Sequence, residues 1–384
     1  MDISYIINQL GEEREEYYNS VAPPLIQTSN FAFKTVAKFR QAIGDEKEAY
    51  IYTRGNNPTV DILSKKLAAL EGAEEALIFA SGIGAISSAI ISGLSAGDHV
   101  VCIEKPYSWT NKLLNTLLSR FQIETTMIDG TDFNNFETAV KENTKLIYLE
   151  SPNSLTFELQ DIERVAKFAK SKGIRTIIDN SYCTPLAQSP IELGIDIVVH
   201  SASKYLGGHS DLVAGVLCSS KKIIDKIFYN EYMTLGAIIS PFNAWLMLRS
   251  IRTLQLRVEK SAASTLELVK YLKTHEKIEK VIYPFSEEHP QFDLAKKQMK
   301  QETGMFSILL KTDDISKVEQ FCDQLKYFLI ACSWGGHESL VFPVGAFESN
   351  PDAENLPVNL VRLYIGLEEP KVLIDDLKQA LDGI

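Results

Sequence analysis

The chain has 384 residues, 45% of them hydrophobic and 23% charged, which is enough to bury one large core and a smaller one. Its formal charge of −11 excludes a nucleic acid or an anionic membrane as the main partner, because neither accepts an acidic surface. The five cysteines are scattered without a C-x-x-C pair, and the six histidines have no metal-ligand spacing, so no disulfide framework and no metal site is expected. Met1-Asp-Ile-Ser-Tyr lacks the basic start of a secretory leader, which leads to the expectation of a cytoplasmic protein.

In chain order, residues 1–50 read as an arm that contacts a neighbouring subunit. They carry an acidic patch at Glu12–Glu16 and the helix-incompatible run Ala22-Pro23-Pro24-Leu25. Asn57-Pro58 predicts a helix start, and Val60, Leu63, Leu67 and Leu70 hold helical spacing up to Gly72. The uncharged stretch Ala76–Gly97 is long enough to span a bilayer, but five serines and four glycines interrupt it. It reads instead as a buried strand, a turn and a buried helix.

Apolar runs occur at Ala76–Ala80, His99–Ile103, Ile123–Ile128, Leu146–Leu149, Thr176–Ile178, Ile197–Val199 and Val213–Cys218, separated by amphipathic stretches such as Asp161–Lys172. This alternation predicts an α/β unit over residues 51–242, with a mainly parallel sheet between helices. From 243 the texture changes. One long helical stretch runs from Asn243 toward Lys273, then strand-like runs come at Val281–Tyr283, Phe306–Leu310, Phe328–Ala331 and Leu360–Ile365. Residues 243–384 are expected to form a smaller α+β domain.

Ligands of open α/β sheets bind beyond the carboxyl ends of the strands, so the residues just after each apolar run are informative. Those positions hold Ser81-Gly82-Ile83-Gly84, then Glu104 and Tyr107, then Glu150-Ser-Pro-Asn-Ser154, Asp179-Asn180-Ser181, and His200-Ser201-Ala-Ser203-Lys204. Hydroxyls, an acid and a lysine thus face one crevice. Each has a plainer explanation: a simple turn at Gly82, a helix cap at Asp179, a core aromatic at Tyr107, a solvent-seeking side chain at Lys204. The functional reading makes the turn at Gly82 a phosphate-binding helix start and Lys204 a desolvated amine suited to Schiff-base chemistry. A competing reading takes Gly82-Ile-Gly84-Ala-Ile-Ser87, with Glu104 after the next strand, as a dinucleotide fingerprint and the protein as an NAD-dependent oxidoreductase. It leaves Lys204 and Asp179 without a role.

Tyr52-Thr-Arg54-Gly-Asn-Asn-Pro58, Ser81-Gly82-Ile83, Asp179-Asn180-Ser181 and His200-Ser-Ala-Ser-Lys204-Tyr-Leu-Gly-Gly-His209 together resemble the Cys/Met-metabolism pyridoxal-phosphate enzymes. The resemblance implies the PLP-dependent transferase-like fold (fold type I) with a seven-stranded sheet, pyridoxal 5′-phosphate as cofactor, and a small sulfur amino acid as substrate. It implies Lys204 as the Schiff-base lysine and catalytic base, with Tyr107 stacking on the ring and assisting. Gly82, Ile83, Ser201 and Ser203 are expected at the phosphate and Asp179 at the pyridine nitrogen. Tyr52 and Arg54 are expected to reach the phosphate of a neighbouring subunit, in a homotetramer of two such dimers. Arg362, within Leu360-Val-Arg362-Leu-Tyr-Ile-Gly366, matches the substrate-carboxylate segment, and Ser333, Trp334 and Ser154 are expected at the substrate.

Three features resemble the bacterial cystathionine β-lyases. They are the block Ser333-Trp334-Gly335-Gly336-His337, Ser154-Leu155 where γ-acting members have Asn-Pro, and Trp109 where methionine γ-lyases have cysteine. The expected activity is therefore α,β-elimination from cystathionine or a related thioether, releasing a thiol, pyruvate and ammonia. A γ-acting relative, or a protein that binds the cofactor without catalysis, are the alternatives.

Overall fold

The computed structural model describes residues 1–347 and 356–384. Seven strands build the first sheet: β1 (Glu75–Phe79), β2 (His99–Ile103), β3 (Glu124–Ile128), β4 (Thr144–Glu150), β5 (Arg175–Asp179), β6 (Ile197–Ser201) and β7 (Gly215–Ser219). Their spatial order is β1-β7-β6-β5-β4-β2-β3. Only β7 runs against its neighbours; the other pairings are parallel. Every residue of β2 and β7 is buried, which is why the apolar runs do not alternate. The α/β expectation of a mainly parallel seven-stranded sheet holds.

The strand order removes the dinucleotide reading. A fingerprint needs its strand and the next one side by side across a βαβ crossover. Here β1 lies on one edge and β2 lies beyond β7, β6, β5 and β4.

The helices start and stop as the side chains require. Asn57 accepts the Thr59 N–H at 3.0 Å ahead of the Pro58–Glu71 helix, and Gly72 closes it in the left-handed region at φ 73°. The uncharged Ala76–Gly97 stretch divides into β1, a turn and the Gly82–Ile91 helix. Among the described residues no helix is long and apolar enough to cross a membrane.

The single helix expected from Asn243 to Lys273 is two, Pro241–Ile251 and Leu254–Leu272. Arg257 stabilises the break: it donates to the Ser250 carbonyl at 2.9 Å, an acceptor a continuous helix would use, and to the Thr253 hydroxyl at 3.1 Å. Pro241–Ile251 packs on the Pro58–Glu71 helix, and its Ala244, Met247, Leu248 and Ile251 belong to the core of the first sheet. A boundary at 242/243 thus assigns a helix of the first core to the second unit.

The second sheet contains β8 (Ile278–Ile282), β9 (Met305–Leu310), β10 (Leu329–Ile330), β11 (Leu340–Pro343) and β12 (Leu360–Tyr364), in the order β10-β11-β12-β9-β8. Sequence patterning missed β11, a four-residue strand that ends in proline. It pairs with β12 and places Phe342 opposite Arg362.

Candidate active site

The parallel strands end on one edge of the first sheet, and there a cleft of about 930 Å³ opens toward the second sheet. Its wall includes Glu150, Asp179 and Ser201 at the ends of β4, β5 and β6, Lys204 after β6, and Tyr107 after β2. From the other side come Ser333, Trp334 and Arg362, with Ser154 between the two.

Beneath Ser201, two glycines allow a close crossing of chains. A Cβ on Gly82 would stand 2.9 Å from that of Ser201, and one on Gly215 would stand 2.1 Å from the Ser81 carbonyl oxygen. Ser81 caps the helix by accepting the Gly84 N–H at 3.1 Å. The amides of Gly82 and Ile83 are the first of their helix and have no acceptor within it. A phosphate beside Ser201 would meet those amides and the positive end of the helix dipole. Ser203 is already engaged: its hydroxyl accepts the Ala214 N–H at 3.1 Å and donates to the Ala214 carbonyl at 3.4 Å. It must give up the longer bond to reach a phosphate.

Lys204 sits in a tight turn, where the Gly208 N–H donates to the Lys204 carbonyl at 2.7 Å. Gly208 needs φ 64°, and a Cβ there would fall 1.8 Å from Arg257 Nη1. The Gly207-Gly208 pair is therefore a seat for a buried arginine as well as a turn. Among the described residues no carboxylate lies within ion-pair distance of Lys204 Nζ, which rests 5.8 Å from the centre of the Trp334 ring. Burial and the charge of Arg362 lower its pKa, and Asp179 opposes them. An amine with a lowered pKa is the form a carbonyl requires.

Asp179 is buried, and its Oδ1 accepts the Ser181 N–H at 2.9 Å and hydroxyl at 2.5 Å. Burial raises its pKa, and these two donors restrain the rise. A lysine and a buried acid on one cleft, with a free helix start packed against Ser201 of its wall, fit pyridoxal 5′-phosphate, whose aldehyde, pyridine nitrogen and phosphate call for those groups.

At the far end Arg362 donates through Nη1 to the Ser154 carbonyl and through Nη2 to the Ser333 carbonyl, each at 3.1 Å. Its guanidinium carbon lies 4.7 Å from the Phe342 ring centre. Burial pushes its pKa down to about 10. The remaining N–H groups suit a carboxylate. Ser333 presents its carbonyl at φ 77°, a left-handed conformation unusual for serine. Trp334 is mostly buried, its ring 5.5 Å from Tyr205 and 6.5 Å from Tyr182, so it supports the floor under Lys204.

Of the expected residues, Gly82, Ile83 and Ser203 are outside the cleft lining, and so are Tyr52 and Arg54. Tyr52 and Arg54 are exposed, stack on each other at 5.6 Å, and do not line this cleft. Glu150, also in the wall, was assigned no role. It is buried, accepts the Tyr107 N–H at 2.7 Å, and has its pKa raised to about 8 by burial and by Asp179. An acid ending an apolar run was the signal available.

Residues 5–382 match the family model for Cys/Met metabolism PLP-dependent enzymes. An L-methionine gamma-lyase of Treponema denticola is 38% identical over 376 residues, covering 96% of this chain and 94% of that protein. A cystathionine beta-lyase of Lactococcus lactis subsp. cremoris is 36% identical over 379 residues, covering 97% of each. The crystal structure of MetB from Corynebacterium glutamicum superposes with a TM-score of 0.93 at 32% identity, over 100% of this chain and 98% of that one.

Proposed function

Because this chain belongs to the Cys/Met metabolism PLP-dependent enzymes, we propose that it is a carbon–sulfur lyase that eliminates a thiol from Cβ of cystathionine or a related sulfur amino acid. The observation that carries this reading is the pairing, across one cleft, of Lys204 with Arg362. One supplies an amine of lowered pKa, the other a buried guanidinium held by carbonyls.

When bound, pyridoxal 5′-phosphate supplies an electron-accepting ring conjugated to the substrate nitrogen. Asp179 holds a proton at the pyridine nitrogen. Arg362 binds the substrate carboxylate, with Ser333 and Ser154 orienting the guanidinium. Lys204 Nζ takes the Cα proton, and Tyr107 assists. Electrons released at Cα form the Cα–Cβ double bond as the Cβ–S bond breaks, and the sulfur takes up a proton. Addition of water then yields pyruvate and ammonia.

The block Ser333-Trp334-Gly335-Gly336 supports β-elimination. The second reading, γ-elimination, is favoured by the methionine gamma-lyase at 38% identity. Product analysis with L-cystathionine separates them: pyruvate with homocysteine is expected, and 2-oxobutyrate with cysteine would overturn the β-assignment. The exposed Tyr52 and Arg54, remote from their own cleft, support sites shared between subunits of a homotetramer. Five free cysteines support a cytoplasmic setting.

A further inference from the structure

Among the described residues, Glu150 is the one acid of the cleft wall besides Asp179 that is buried, and nothing in the proposed chemistry uses it. It stands at the end of β4, paired in register with Asp179 at the end of β5. Burying a second carboxyl beside the first is costly unless donors compensate it. The compensation is specific. Glu150 Oε2 accepts the Tyr107 N–H at 2.7 Å. Across the cleft the Ser154 carbonyl accepts from Arg362 Nη1 at 3.1 Å.

The Tyr107 N–H bond to Glu150 therefore holds one side of the cleft, while the Ser154 and Ser333 carbonyls hold Arg362 on the other. The side chains of Lys105 and Tyr107 do not replace the bond to Glu150. The side chain of Lys105 is drawn outward to Glu158 at 2.7 Å, and Tyr107 offers no side-chain cap to the helix it begins. The bond from the Tyr107 main-chain N–H to Glu150 ties the end of this loop to the sheet, as the Glu104 N–H bond to the Ile128 carbonyl at 2.7 Å ties its start.

We propose that Glu150 is a positioning residue whose carboxyl ties the Tyr107 loop to the end of β4 and so sets where the Tyr107 ring stands across the cleft from the Arg362 guanidinium. This rests on the roles already proposed for Tyr107 and Arg362. A ring and a guanidinium that hold opposite ends of one reactant must keep their separation, and a misplacement of about 1 Å costs on the order of 10²-fold in rate. The raised pKa of Glu150 agrees with this, since a carboxyl that keeps its proton near neutrality adds no second charge next to Asp179.

The test compares Glu150→Ala and Glu150→Gln with the wild type, first as cofactor-free protein by hydrogen exchange at the Tyr107 amide. Glu150→Ala should speed that exchange, and Glu150→Gln, which keeps an acceptor, should not. In the cofactor-loaded enzymes Glu150→Ala should lower kcat/KM for L-cystathionine about 10²-fold, and Glu150→Gln should stay within about threefold of wild type. Should Glu150→Ala fail to fold, Glu150→Asp, with its shorter reach, replaces it and should show the same exchange change. Unaltered exchange at Tyr107, or faster exchange with wild-type kinetics, overturns the proposal. A wild-type enzyme that turns over no sulfur amino acid would instead overturn the proposed function, and the exchange result would still decide whether Glu150 holds the loop.

Discussion

Gly335 lies against the main chain of Lys204: a methyl group on its Cα would stand 2.9 Å from Lys204 Cα and 2.6 Å from the Tyr205 nitrogen. Its φ of 86° also disfavours any side chain. The Ser333–Gly335 loop is thus fitted to the turn that carries Lys204. Gly335→Ala is expected to reduce kcat by about 10²-fold and stability by about 1–3 kcal/mol. Steady-state kinetics and thermal unfolding check this. Wild-type values for both would mean that the loop yields freely.

Glu150 makes stability depend on pH. Its folded-state pKa is raised from 4.5 to about 8, so the folded protein holds the proton more tightly than the unfolded chain. That contribution is fully present below 4.5 and is lost as pH rises through about 8. The groups that face it are Asp179, Ser154 and the Tyr107 amide, with Tyr148 and Cys102 close by. Glu150→Gln removes the titrating proton. Its melting temperature, compared with wild type, should gain several degrees across this window and stop changing above it. Parallel curves would contradict the buried, protonated carboxyl.

Arg362 offers a kinetic test of the carboxylate assignment. A lysine cannot hold the Ser154 and Ser333 carbonyls and a carboxylate together, because it lacks the planar fork. Arg362→Lys should raise KM for the amino acid by about 10–100-fold, in line with about 1.5–3 kcal/mol for a charged hydrogen bond. The visible absorption of the bound cofactor should persist. An unchanged KM would place the carboxylate elsewhere.

The start of the chain is pinned from inside. Lys66 and Glu12 have side chains only 1% and 0% exposed and pair at 3.0 Å, while Lys66 Nζ also donates to the carbonyls of Ile6 and Ile7. Breaking one partner of a buried pair costs about 3–5 kcal/mol. Lys66→Ala should lower the melting temperature and expose the Ile3–Asn8 helix to proteolysis. Limited digestion that leaves wild type and variant equally resistant at that helix would argue against this anchor.

Much of the site was legible because its residues stand where apolar runs stop. Asp179, Ser201 and Lys204 could be placed at strand ends by counting, and parallel strands bring such ends to one edge. Glu150 could be counted too, but its partner Tyr107 lies 43 residues earlier, and no local pattern announces that contact. β11 escaped for a related reason: four residues carry too little periodicity to stand out from a loop. The break after Ile251 was hidden because helical spacing continues through it, whereas Arg257 acts from the next helix.

The sequence by itself determined most of the element types, the parallel sheet and the lysine turn, since these arise from burial pattern, caps and glycines acting over a few residues. Only the tertiary structure decided that β1 and β2 are separated by four strands, which ended the dinucleotide reading. It alone showed Arg362 held by Ser154 and Ser333, and Gly335 set against Lys204. Strand order and close approach are properties of packing between distant segments, and nothing local in a chain encodes which segment will fill the space beside another.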